Sequence, residues 1–171
     1  MKFILFALIM SISITSYAQK DFDISTDKED NSTVYKGKIN FGDLEKETSF
    51  DWLGHKEQYQ PDAAQISYLQ QYLSQYHLIV FMGTWCSDSK SLLPKLYAVL
   101  AQAKYPVQRL TMYGVDRAKT AKNGEEKTYA IKFVPTIILM KDNKEAGRIV
   151  ESVQTSMEAD MVDIIKGDLD D

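Results

Sequence analysis

Leu78-Ile79-Val80-Phe81-Met82-Gly83-Thr84-Trp85-Cys86-Ser87-Asp88-Ser89-Lys90 is the stretch that decides the fold. Its apolar first half reads as a buried strand, and Gly83-Thr84 ends that strand. A helical pattern begins at Ser87. The chain's one cysteine, Cys86, therefore falls where a strand hands over to a helix N-terminus. Unpaired backbone N–H groups and the positive end of the helix dipole meet there, and both favour a thiolate.

Downstream, a helix of roughly seventeen residues is expected from the 3.6-residue period. Leu92, Leu93, Leu96, Val99, Leu100 and Ala103 form its apolar stripe, and Pro94 interrupts it. A proline inside a helix removes a hydrogen bond and kinks the axis. Val107–Val115 reads as the next strand. Asn123-Gly124 marks a turn, and Glu125–Ala130 a short helix. Ile137–Met140 and Gly147–Val150, with Asp142-Asn143-Lys144 between them, read as a hairpin. Thr155-Ser156-Met157-Glu158 has the form of a capping box ahead of a last helix, which Gly167 is expected to stop.

Upstream, Pro61-Asp62 opens a helix with Ile66, Leu69, Tyr72, Leu73 and Tyr76 on one face. Thr33–Phe41 alternates enough to suggest a strand. Phe50, Trp52 and Tyr59 are expected to pack their segment onto the domain. Gln19–Ser32 is polar and acidic and reads as a mobile leader. The order strand, helix, strand, short helix, hairpin, helix gives an α/β fold: one mixed sheet with helices on both faces.

The first residues stand apart. Lys2 precedes an apolar run from Phe3 to Ile14, and Ser16-Tyr17-Ala18 supplies small residues at a cleavage site. This is the form of a secretory signal peptide over residues 1–18. The run is shorter than the about 20 residues that a membrane span requires. No cysteine lies beside the cleavage site, which argues against a lipid anchor. The expected location is periplasmic or secreted, with no stable membrane anchor after cleavage. A single cysteine leaves no internal disulfide, so the core must hold the fold unaided.

The chain of 171 residues carries a formal charge of −4 without clustered basic residues, so nucleic acid is not an expected partner. No metal site or cofactor is expected either. His55, His77 and Cys86 lack ligand spacing. No phosphate loop or Ser-His-Asp pattern is visible.

From Leu78 to Ile165 the chain resembles the thioredoxin family. Trp85-Cys86 matches the tryptophan and nucleophilic cysteine of its W-C-x-x-C motif. Pro94 lies where the family's active-site helix carries a proline, and Val134-Pro135-Thr136 matches its cis-proline segment before a hairpin. The resemblance implies a thioredoxin-like domain over residues 61–171, after an N-terminal extension at 19–60. It also implies a cis bond at Pro135, with Trp85, Val134 and Pro135 forming a substrate groove beside Cys86. Two positions depart from the pattern. Ser89 stands in place of the resolving cysteine, so the motif is Cys86-Ser87-Asp88-Ser89. Val80 stands where many members have a buried acid.

A dithiol reductase attacks a disulfide with one thiolate and resolves the mixed disulfide with a second thiol. Only the first group is present here. Cys86 is then a monothiol nucleophile released by an external thiol, with protein or small-molecule thiols and disulfides as partners. The alternatives are a redox-inactive protein that binds in the same groove, and a thiol transferase using a glutathione-like molecule. Free cysteines are also often small buried hydrophobes. Ser89 is placed to donate a hydrogen bond to the thiolate, or is a relic of the substitution. Asp88 opposes the thiolate, acts as a proton acceptor, or only complements the helix dipole.

Overall fold

The computed structural model of the protein describes residues 21–48, 50 and 58–170. In chain order the elements are β1 (Phe22–Thr26), β2 (Thr33–Ile39), α1 (Phe41–Leu44), α2 (Ala63–Tyr72), β3 (His77–Met82) and α3 (Ser87–Gln102). β4 (Leu110–Gly114), α4 (Glu125–Thr128), β5 (Thr136–Lys141), β6 (Lys144–Val150) and α5 (Met157–Asp170) follow. The strands form one sheet in the order β1-β2-β4-β3-β5-β6. β3 and β4 run parallel and every other neighbouring pair is antiparallel. This is the mixed α/β sheet that the apolar pattern implies.

The alternation of β3 separates the two faces, because successive side chains in a strand point to opposite sides. Leu78, Val80 and Met82 join the large core with Leu69 of α2, Leu93 and Leu96 of α3, and Met161 and Ile165 of α5. Ile79 and Phe81 join a smaller cluster with Cys86, Val115, Ala121, Val134 and Ile138. Three long helices therefore cover one face. The other is covered by the segment from Val115 to Val134, whose only helix is the one-turn α4. Each fully buried Leu of the first face contributes roughly 1.5–3 kcal/mol by leaving water.

Local chemistry sets the ends of the elements. Asp62 caps α2, its carboxylate accepting from the Ala64 and Gln65 amides at 3.0 Å each. α3 runs through Pro94, which is buried with the rest of the stripe. Asp142 and Asn143 both have positive φ in the two-residue β5–β6 loop, which suits a tight hairpin.

Several expectations are corrected. Residues 22–26 of the acidic leader are the edge strand β1, paired with β2 over five positions. Asp23, Asp27, Glu29 and Asp30 belong to ion pairs rather than to a solvated tail. Val107–Arg109 form a 3-10 turn, and the strand is only Leu110–Gly114. Gly167 does not end the last helix, which continues to Asp170. A Cβ at Gly167 would meet nothing within 4 Å, so packing does not demand glycine there. Ser156, whose hydroxyl accepts from the Ala159 amide at 3.2 Å, takes the capping role. Glu158 turns away from the expected box and accepts from the Tyr59 hydroxyl and the Asp62 amide. Phe50 is buried and Tyr59 half-buried, while Trp52 and His55 lie outside the described residues.

Candidate functional site

Cys86 is the N-cap of α3, with extended backbone at φ −88° and ψ 123°. Its amide donates to the Gly83 carbonyl, and its own carbonyl accepts from the Lys90 amide, both at 3.0 Å. That turn fixes the cysteine between strand and helix. Cys86 is buried, 8% of the residue being exposed. The thiol donates to the Val134 carbonyl at 3.3 Å. The Val134–Pro135 peptide is cis. A cleft of about 420 Å³ opens here, lined in part by Trp85, Cys86, Asp88, Phe133 and Val134.

The structure thus brings Trp85, Cys86 and Val134 to one cleft. Pro135 is buried beside them, and its carbonyl accepts from the Glu151 amide at 2.8 Å. Asp88 is exposed at the cleft edge, on the first turn of α3. Ser89 is fully buried, and its Oγ accepts from the Gly83 amide at 3.2 Å. The hydroxyl at the resolving position therefore braces the strand-to-helix turn. His77 sits at the other end of β3, its ring nitrogen 2.8 Å from Thr111 Oγ1. Burial, with Arg109 and Lys38 nearby, holds the His77 imidazole below its usual value. Among the described residues, no three His, Cys, Asp or Glu side chains converge on a metal position.

Four cleft residues have no counterpart in the sequence reading: Arg117, Lys119, Phe133 and Glu151. Phe133 is half exposed. Arg117 places its guanidinium carbon 5.1 Å from the Trp85 ring centroid, and the Lys119 Nζ lies at 5.8 Å. Both distances suit a cation–π contact. The Trp85 indole N–H donates to the Val115 carbonyl at 2.8 Å. Gly83 gives the ring room, since a Cβ there would come within 2.6 Å of the indole.

The N-terminal hairpin supplies the support behind this wall. Arg117 Nε pairs with Asp27 at 2.7 Å, Nη2 with Asp30 at 2.7 Å and Nη1 with Glu29 at 3.3 Å. The Arg117 hydrogen bond holds the Asp27 carboxyl below its usual range. Hydrogen bonds from Ser32, with Arg117 adding to them, lower Asp30 to about 2. Lys36 pairs with Asp116 at 2.6 Å, and Lys122 with Asp23 at 2.8 Å. The Thr84 hydroxyl, one residue before Trp85, donates to the Thr33 carbonyl at 2.5 Å and accepts from the Tyr35 amide at 3.3 Å. The only sequence signal for any of this was the density of carboxylates between Asp21 and Asp30.

Residues 61–166 match the family model described as Thioredoxin. The chain is a member of the thioredoxin family. It is 36% identical over 73 residues to the thioredoxin of Chlamydia trachomatis serovar D, and 33% identical over 73 residues to that of Chlamydia muridarum. Each alignment covers 43% of this chain and 66% of the relative, just short of two thirds of that protein. A solved protein of unknown function from Pseudomonas aeruginosa aligns at 17% identity and a TM-score of 0.43, over 76% of this chain and 79% of its own.

Proposed function

We propose that the protein is an exported monothiol thioredoxin-like protein whose Cys86 exchanges with disulfides. The observation that carries this reading is the Sγ at the N-cap of α3, in contact with the Val134 carbonyl in the lining of a cleft. A thiol there stands at the mouth of the cleft, where it reaches a disulfide lying along Val134. The Cys86 thiolate attacks one sulfur of R–S–S–R′. A Cys86–S–S–R bond forms, R′–S⁻ leaves, and the Cys86 proton ends on that thiolate through solvent. With Ser89 in place of a resolving thiol, an external thiol R″–SH then attacks the mixed disulfide. It regenerates Cys86 and releases R–S–S–R″. Overall, one disulfide and one thiol exchange partners with no net oxidation.

Asp88, exposed at the cleft rim, is the nearest carboxylate in sequence for relaying that proton. Ser89 acts by holding the Gly83 amide and hence the turn. Export is supported by the Met1–Ala18 sequence, and intact mass of the protein recovered from the periplasm or medium tests cleavage after Ala18.

The exchange reading is tested by treating the purified protein with a disulfide-bonded peptide and recording intact mass. A single adduct is expected, absent in Cys86→Ala, stable until a small thiol is added and then fully released. Ser89→Cys is expected to release the peptide without added thiol, by forming an internal disulfide. No adduct on Cys86 would overturn exchange and leave non-covalent peptide binding in the same cleft as the function.

A further inference from the structure

We infer that Arg117 is a positioning residue, which the acidic turn of the β1–β2 hairpin holds over Trp85 so that the indole forms a fixed wall beside Cys86. The inference rests on the reading of Cys86 as the reacting group, but its geometric core stands apart from that chemistry. Three carboxylates, Asp27, Glu29 and Asp30, surround one guanidinium. The carbon of the same guanidinium lies over the indole, 5.1 Å from its ring centroid.

Arginine suits both tasks at once. Its fork pairs with several carboxylates while its flat face stacks on an aromatic ring. A guanidinium already neutralised by three carboxylates is poorly suited to attract an anionic substrate. Its remaining use is to hold the ring. The indole is then held by Arg117, with Lys119 a more distant second cation over the ring, by the Val115 carbonyl on its N–H, and by the Gly83 backbone. Trp85 adjoins Cys86 in the chain, so freedom of the ring becomes freedom in the wall of the cleft. The hairpin turn, whose Asp27 and Asp30 lie 90 and 87 residues before Arg117 in sequence, is by this argument a working part of the site.

The test uses Trp52→Phe as parent, leaving Trp85 as the single tryptophan. Acrylamide quenching reports access to the indole. Exchange of Cys86 with the disulfide of mercaptoethanol, a neutral reagent, reports the site. In Arg117→Met the quenching constant is expected to rise at least about twofold as the cation–π contact is lost. The exchange rate is expected to fall in parallel. The pair Asp27→Asn and Asp30→Asn, which keeps Arg117 but releases it, is expected to move both readouts in the same direction.

Arg117→Lys is expected to restore part of each, because a cation without the planar fork holds the ring less well. Lys122→Met breaks a different tie of the same hairpin and is expected to change neither. Quenching in Arg117→Met equal to the parent overturns the inference, whatever the exchange rate does. If that variant does not fold, unchanged quenching in the double Asn variant overturns it instead. If parental Cys86 does not exchange at all, the functional reading falls, and quenching still decides the role of Arg117.

Discussion

The two faces of the sheet are held by different forces. Under α2, α3 and α5 the contacts are apolar and fully buried: Leu69, Leu93, Leu96, Met161 and Ile165 close over Leu78, Val80 and Met82. On the opposite face, one helical turn and a loop cover a smaller cluster that contains Cys86. There the N-terminal hairpin is tied to residues 116–122 by ion pairs among half-exposed groups. The first face supplies stability, because burial of apolar area is the large term and exposed ion pairs are a small one. The second face supplies geometry. Ion pairs fix direction at little energetic cost, which suits a cleft that must admit a substrate.

The largest effect is expected on the apolar face. Leu96 is fully buried. Leu96→Ala is expected to lower unfolding free energy by about 2–5 kcal/mol through lost transfer energy and a residual cavity. Urea denaturation checks this, and exchange at Cys86 measured well below the unfolding midpoint is expected to stay unchanged. A large loss of exchange with intact folding would show that the two faces are not separable.

Gly83→Ala probes the seam. The new Cβ would fall within 2.6 Å of an indole that is already held on its other sides. Overpacking of that kind costs about 1–3 kcal/mol. A shift in Trp85 fluorescence, with slower exchange, is expected alongside the lower denaturation midpoint.

Glu158 sharpens the account on the helical face. Burial raises its carboxyl, but hydrogen bonds from Tyr59 and the Asp62 amide outweigh this and leave it below its usual range. Burial and the Glu158 contact push the Tyr59 phenol up to about 12. A lowered acid adds stability above its unfolded value of about 4.3 and loses it as pH falls through the lower folded value. Glu158→Gln is therefore expected to cost about 1–2 kcal/mol at neutral pH. The gap in urea midpoint from wild type should close as pH drops below about 4. A gap that persists in acid would contradict a role for the charge.

The smallest effect is expected at Lys122–Asp23, where Asp23 is largely exposed. Lys122→Met should change stability by less than about 1 kcal/mol, with any change shrinking as salt is added. Thermal denaturation at low and high ionic strength measures it.

The helical face was legible in the sequence because its forces are periodic. Leu92, Leu93, Leu96, Val99 and Leu100 recur at helical spacing, and β3 alternates between two clusters. The Cys86 side of the cleft was legible too, because strand, turn and helix N-terminus are contiguous there. The support behind the Trp85 indole was not. Arg117 is paired with Asp27 across 90 residues, and no local pattern signals an ion pair at that range. Carboxylates that look like a solvated leader in composition are the same residues that hold an arginine in structure. Ser89 shows the same limit. Its spacing from Cys86 suggested a partner for the thiolate, whereas its hydroxyl faces the Gly83 amide.

The most direct test of the central claim is the rate at which Cys86 exchanges with a neutral small disulfide in the folded protein, relative to the same chain in urea. A helix N-terminal thiol at an open cleft is expected to exchange faster when folded, to give one adduct, and to lose all reaction in Cys86→Ala. Exchange that is slower in the folded protein than in urea would contradict the account. Cys86 would then be a buried structural thiol on a thioredoxin scaffold.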